Sequence, residues 1–164
     1  MNRISMAVAL ALVLTASHAT LAQDAASQIV GVWKVVDISR KEVASGKIDK
    51  PYGEKPGGYY IFTRGGHFFW TYVADNRQKP AGAALTDAER VELFKTLAFG
   101  TGTYKVEGDK VVQRYDSSWH QAWTGAERVT PLPTFSGTKM IQTSAPFKHQ
   151  GVDSVNTNTF ERVE

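Results

Sequence analysis

Aromatic side chains are the groups of this chain best suited to contact a small molecule. The sequence has 4 tryptophans, 6 tyrosines and 8 phenylalanines in 164 residues. Small-molecule pockets are lined mainly by apolar and aromatic groups with a few polar ones, and tyrosine supplies both in one side chain. Seven aromatic residues on predicted strands either line a cavity or fill a core, and their tyrosines favour the cavity: Tyr60, Phe62, Phe68, Trp70, Tyr72, Tyr104 and Tyr115.

His120 is the residue best suited to transfer protons in addition to binding a ligand. It lies in an aromatic loop between Trp119 and Trp123, shortly after Asp116. A carboxylate beside an imidazole can orient it as a proton donor or acceptor. A solvent-exposed loop histidine is the alternative interpretation. We therefore add His120 to the seven aromatic residues as a predicted ligand contact.

Other reactive centres have no signature in the sequence. The chain has no cysteine, and His67, His120 and His149 are widely separated, so no metal site is predicted. Neither the nucleophile motif of serine hydrolases nor a glycine-rich phosphate or dinucleotide loop occurs, and we expect no cofactor. The net charge is only +3. Because the basic residues are mostly scattered singly, a nucleic-acid-binding function is excluded.

The N-terminus has the order of a secretory signal peptide over residues 1–22. Arg3 precedes an apolar run, and small residues follow it. We predict cleavage before Gln23, with a second possible site at Ala19. The apolar run is too short for a transmembrane helix, so no membrane span is expected after cleavage. Residues 23–164 are then a single periplasmic or secreted domain without disulfides.

Strand patterns occupy most of residues 23–164. Runs of β-branched and aromatic residues bounded by turn residues predict eight strands, at 29–39, 59–63, 67–74, 101–106, 110–117, 127–133, 139–144 and 154–163. The clearest hairpin turns at Gly65-Gly66. On its second strand, side-chain alternation puts Phe68, Trp70 and Tyr72 on one face, which we predict to point inward.

One helix is predicted between the strands. Thr86 and Glu89 have the spacing of a capping box. An apolar stripe then repeats at helical spacing as far as Gly100, through Val91, Phe94, Leu97 and Ala98. Eight antiparallel strands commonly close a barrel that holds side chains or one small ligand. The predicted fold class is therefore all-β, an eight-stranded antiparallel barrel with one helix packed on it.

Several short motifs follow one another along nearly all of residues 23–164. They are Gly31-Val32-Trp33, Pro51-Tyr52-Gly53-Glu54-Lys55-Pro56, Gly58-Tyr59-Tyr60-Ile61-Phe62-Thr63, Gly65-Gly66, the Thr86 helix, Gly102-Thr103-Tyr104-Lys105-Val106, Gly108-Asp109, Trp123 with Gly125, Arg128, and Phe160-Glu161-Arg162. In this order they resemble the bacterial lipocalin-like domain family of calycin type. The resemblance implies a calyx-shaped barrel that binds a small, largely apolar molecule, and it implies no catalytic residues.

Two details of the resemblance concern single residues. Trp33 resembles the tryptophan that closes one end of such barrels under a late-strand arginine, here Arg128 or Arg162. Relatives often carry histidines on the strand after the Gly-Asp hairpin, where this chain has Gln113 and Arg114. A histidine-based role therefore does not carry over.

Three functions stay open at this point. The leading hypothesis is an exported barrel that binds a small hydrophobic or aromatic molecule. The second is a cofactor-independent barrel enzyme, an isomerase, cyclase or lyase that uses Tyr, His, Asp or Arg side chains in the same cavity. The third is a structural or partner-binding domain. An enzyme needs titratable groups that converge on the cavity, a carrier needs apolar walls, and a structural module has a filled interior.

Overall fold

The computed structural model describes residues 26–164, so the predicted signal peptide lies outside the described residues. Residues 26–29 are helical, and a 3-10 turn covers Gln121–Trp123. One further helix, α1, spans Asp87–Lys95. The strands within the described residues are β1 Gly31–Glu42, β2 Ile48–Asp49, β3 Gly57–Phe62, β4 His67–Val73, β5 Leu97–Glu107, β6 Lys110–Ser118, β7 Glu127–Pro131, β8 Thr134–Ser136, β9 Lys139–Thr143, β10 Phe147–His149 and β11 Val152–Arg162.

The strands form one antiparallel sheet that curls into a partly closed barrel. Its order is β7-β6-β5-β4-β3-β1-β11-β9-β8, with β2 beside β1 and β10 beside β11. The predicted all-β antiparallel fold is confirmed, and each of the eight predicted strands has its counterpart. The three additional strands, β2, β8 and β10, are 2 or 3 residues long. Strands of that length are too short for side-chain alternation to reveal them.

One end of the barrel is filled by a close-packed core. Trp33 is 1% exposed, and its indole Nε1 donates to the Ile29 carbonyl over 2.8 Å. The Arg162 guanidinium carbon lies 4.1 Å from the centroid of the Trp33 ring. Arg162, and not Arg128, is therefore the late-strand partner of Trp33. Trp33 belongs to one hydrophobic cluster with the buried side chains of Phe62, Val111, Met140 and Phe160.

Helix α1 is capped as predicted but is shorter than predicted. The Thr86 hydroxyl accepts from the Glu89 amide over 3.2 Å, and the Glu89 carboxylate accepts from the Thr86 amide over 2.7 Å. Leu97 and Ala98 do not continue the helix; they begin β5 and pair with β4. The helical spacing was misleading, because the sheet hydrogen bonds of these two residues outweigh a weak helical stripe.

The helix lies on the outside of the sheet with none of its residues buried. Phe94 is 56% exposed and reaches the ring of Trp119, with 5.3 Å between the ring centroids. The barrel interior is consequently formed by strands and by the 118–125 loop.

Candidate functional site

The barrel interior contains a cavity of about 150 Å³. Its lining has two chemically different parts. The aromatic part comes from β3, β4, β6 and the loop after β6, and consists of Tyr60, Trp70, Tyr72, Tyr115 and Trp123. The polar part comes from β6, β7, β9, β11 and the residue after β9, and consists of Gln113, Arg128, Thr130, Gln142, Ser144, Asn156 and Asn158.

Four of the eight predicted ligand contacts line this cavity: Tyr60, Trp70, Tyr72 and Tyr115. Phe62 and Phe68 are each 2% exposed and belong to the core. Phe68 packs edge-on against Tyr115, with 5.1 Å between centroids, and so supports the aromatic part of the lining. The predicted inward face of β4 is therefore formed as expected, while one of its members is core rather than lining.

The other two predicted contacts lie away from the cavity. The Tyr104 hydroxyl donates to the Thr63 carbonyl over 2.9 Å. His120 is exposed, and its ring stacks on Trp123 with 5.7 Å between centroids. Asp116 is exposed as well. Neither His120 nor Asp116 lines the cavity, because both belong to the exposed outer side of β6 and its following loop.

Gly100 shapes the aromatic part of the lining. Trp70 Nε1 donates to the Tyr115 hydroxyl over 3.2 Å. A Cβ on Gly100 would lie 2.5 Å from Tyr115 Cε1 and 2.8 Å from Trp70 Nε1, well inside van der Waals contact. The missing side chain thus makes room for both rings to lie across β5. The helical pattern in the sequence predicts Gly100 at the end of a helix, and so it does not reveal the role of Gly100 in the cavity.

The tyrosine hydroxyls of the lining accept hydrogen bonds from N–H groups. Tyr60 accepts from Gln113 Nε2, and Tyr72 accepts from Asn158 Nδ2 over 3.3 Å. Tyr115 accepts from Trp70. A phenol has one O–H donor besides its acceptor positions. Tyr72 and Tyr115 can therefore still donate to a molecule in the cavity.

Burial keeps these phenols protonated. Desolvation is the main cause that raises the pKa of Tyr60, Tyr72 and Tyr115 above its usual value of 10.0. The Tyr115 phenol adds to the increase at Tyr60 and Tyr72. At neutral pH the three hydroxyls are thus uncharged hydrogen-bonding groups.

The family of this chain is identified by a match that covers the whole strand region. Residues 30–162 match the model described as a lipocalin-like domain. The chain belongs to this family. A lipocalin-like fold is in general a ligand-binding barrel, and the cavity lies in the interior of that barrel.

Two solved structures match this chain at low sequence identity. A lipocalin-like protein from Bacteroides uniformis ATCC 8492 is 13% identical, with a TM-score of 0.44 over 82% of this chain and 97% of that one. A protein from Bacteroides eggerthii DSM 20697, named as uncharacterized, is 15% identical, with a TM-score of 0.39 over 82% and 98% of the two chains. The comparison with curated proteins finds no match.

Three polar atoms of the lipocalin-like cavity have no hydrogen-bond partner. They are Thr130 Oγ1, Asn156 Oδ1 and Asn158 Oδ1, and each is buried. A buried polar atom without a partner costs about 1–3 kcal/mol. A bound molecule that supplies a donor would recover part of that cost.

Arg128 is the only charged residue among the described residues that line this lipocalin-like cavity. Its guanidinium carbon lies 4.2 Å from the centroid of the Trp123 ring. Between residues 26 and 164, no three His, Cys, Asp or Glu side chains come together as a metal site. Over the same residues, no helix has the length and apolar character to cross a membrane.

Proposed function

We propose that this lipocalin-like protein binds one small aromatic molecule inside its barrel. The observation that carries the proposal is the interior cavity of about 150 Å³ with five aromatic side chains in its lining. A cavity of about 150 Å³ accommodates a molecule of the size of benzene, whereas drug-sized ligands occupy roughly 300–1,000 Å³. The volume therefore favours a single-ring compound.

The energetics of such a complex are sufficient for micromolar affinity. A micromolar dissociation constant corresponds to about −8 kcal/mol. A ligand of about ten non-hydrogen atoms reaches that value below the ceiling of about −1.5 kcal/mol per atom. Burial of the apolar ring contributes about 25 cal/mol per Å², and each aromatic contact adds about 0.5–1.5 kcal/mol.

The lining supports binding better than proton-transfer catalysis. An acid–base enzyme that works near neutral pH needs a group whose pKa lies near that range. The raised pKa of Tyr60, Tyr72 and Tyr115 makes these phenols weak acids. His120 and Asp116 lie outside the lining. The enzyme hypothesis therefore lacks a base among the described lining residues.

Calorimetric titration with single-ring compounds tests the binding proposal. We expect benzyl alcohol, 4-hydroxybenzamide or 4-hydroxybenzoate to bind the parent protein at one saturable site. Replacing Trp70 and Tyr72 together by Ala should abolish binding, because both side chains line the cavity. Phe69→Ala is the matched control, since Phe69 lies on the same strand, is 40% exposed and faces outward. Failure of every single-ring compound to bind the folded parent protein would overturn the proposal.

We also propose that the protein is exported and loses residues 1–22. The support is the order of Arg3, the apolar run and the small residues before Gln23. N-terminal sequencing of the protein recovered from the periplasm or the medium should start at Gln23, or after Ala19 if the second site is used. A recovered protein that still starts at Met1 would contradict the proposal.

A further inference from the structure

The barrel has two arginine–tryptophan stacks that differ in their hydrogen bonds. Arg162 lies over Trp33, and its guanidinium donates to the backbone carbonyls of Gln28, Val30 and Glu164. This arginine joins the segment before β1 and the C-terminal residue to the barrel. The guanidinium N–H groups of Arg162 are therefore used in hydrogen bonds that stabilise the fold.

Arg128 lies at nearly the same distance from a tryptophan ring but has no such partners. Its guanidinium carbon is 4.2 Å from the Trp123 centroid, against 4.1 Å in the Arg162 stack. Within residues 26–164, Arg128 forms neither an ion pair nor a hydrogen bond from its guanidinium. A guanidinium has five N–H donors in a planar fork that fits a carboxylate. The stack therefore holds an unused anion-binding group at the rim of the cavity.

No acidic side chain lines the cavity to balance this charge. Burial raises the pKa of Tyr72 and Tyr115, and the Arg128 charge acts against part of that increase, so its field reaches both phenols. Both hydroxyls can donate to a bound oxygen. The guanidinium and the Tyr115 hydroxyl, whose side chains both contact the Trp123 ring, together provide a donor set that matches an oxyanion.

The side of the cavity near Tyr72 offers acceptors instead, because Asn158 Nδ2 donates to the Tyr72 hydroxyl over 3.3 Å. Asn156 Oδ1 and Asn158 Oδ1 are buried without a partner, and both lie on β11. An oxyanion would be repelled there, whereas a hydroxyl group of the ligand would donate to these oxygens. The distribution of donors and acceptors thus defines two unlike ends of one ligand.

We propose that the ligand is a single-ring aromatic carboxylate with a hydroxyl group on the ring. This inference rests on the proposed binding function. The ring lies against Trp70 and Trp123, and the carboxylate contacts the exposed guanidinium of Arg128 at the rim. The hydroxyl end points towards the unpartnered oxygens of β11.

Two probes that differ mainly in charge test the inference, 4-hydroxybenzoate and its neutral amide, 4-hydroxybenzamide. We expect the carboxylate to bind at least tenfold more tightly to the parent protein in calorimetric titration. Arg128→Gln should weaken carboxylate binding by about 10- to 100-fold, the range of a charge-assisted hydrogen bond. The amide should lose less than about threefold. Arg128→Lys, which keeps the charge, should retain most of the preference for the carboxylate.

Arg114→Gln is the matched control for the loss of one positive charge. Arg114 lies on β6 between two lining residues but is exposed on the outer face. An equal loss of carboxylate affinity in both Gln variants would overturn the inference, because the effect would then come from net charge. Amide binding as tight as carboxylate binding would also overturn it and leave the proposed function intact. If neither probe and no other single-ring compound binds, the proposed function itself fails.

Discussion

Gly100→Ala is the substitution that best tests the described packing of the cavity. The new Cβ would lie 2.5 Å from Tyr115 Cε1 and within 2.9 Å of two atoms of Trp70. Ordinary contacts of a Cβ fall at 3.4–4 Å, so each ring must move by about 1 Å. The rings must move towards the cavity, because β5 lies beneath them.

The cost of this substitution has two parts. Overpacking a well-filled interior by one methyl group costs about 1–3 kcal/mol. The Trp70–Tyr115 hydrogen bond adds about 1 kcal/mol if the displacement breaks it. We therefore expect the free energy of unfolding to fall by about 2–4 kcal/mol. The affinity for 4-hydroxybenzoate should fall at least tenfold, because two lining rings intrude into about 150 Å³ of space.

Urea denaturation followed by calorimetric titration measures both effects. Gly82→Ala is the control, because a Cβ at Gly82 meets nothing within 4 Å. We expect that control to match the parent protein in stability and in affinity. A Gly100→Ala protein with the stability and the affinity of the parent would refute the packing described for Trp70 and Tyr115.

Two further predictions concern stability. Trp33→Ala should lower the free energy of unfolding by about 3–5 kcal/mol in urea denaturation and leave the preference between ligands unchanged, because the indole is buried and is not part of the cavity lining. Stability equal to that of the parent would contradict the role of Trp33 under Arg162. Burial raises the pKa of Tyr60, Tyr72 and Tyr115 in the folded state above 10.0, so the folded protein binds more protons than the unfolded one at alkaline pH. The contribution of these protonated tyrosines to the free energy of unfolding is complete below about pH 10 and is lost as the pH rises further. Denaturation curves at increasing pH should show this fall. A free energy of unfolding that stays constant above pH 10 would contradict the prediction.

The inward face of β4 could be predicted because its alternation is unambiguous. Phe68 and Trp70 are buried, whereas Phe69, between them, is 40% exposed. Neighbouring side chains on a strand point to opposite faces, so one buried aromatic residue fixes its neighbours. The hairpin turn at Gly65-Gly66 supplied the register of β3 against β4.

The polar part of the lining could not be predicted from the same rule. On β11, Asn156 and Asn158 face the interior, while the alternating positions hold Val155 and Thr157. Hydrophobicity alone would turn Val155 inward and the asparagines outward. The interior position of the two asparagine amides follows from Phe160, which lies on the same face of β11. Phe160 is 0% exposed, so this face points into the barrel.

The length of α1 shows a different limit of sequence patterns. Leu97 and Ala98 continue the helical spacing of Val91 and Phe94, yet they pair with Val73 and Tyr72 of β4. Helix propensity is a weak preference that tertiary contacts override. Leu97 and Ala98 form the last pairs of the ladder between β4 and β5. A short stretch of sequence does not show that these residues pair with a distant strand.

The two end strands of the sheet follow each other in the chain without pairing. In the ladders formed by residues 26–164, β7 pairs only with β6 and β8 only with β9. Free strand edges invite association with other chains, and charges, proline and short length oppose it. β7 carries Glu127 and Arg128 and ends at Pro131, and β8 has 3 residues. The charge that we assign to ligand recognition therefore also protects the protein against edge-to-edge aggregation, so a variant that removes it should be monitored for self-association as well as for binding.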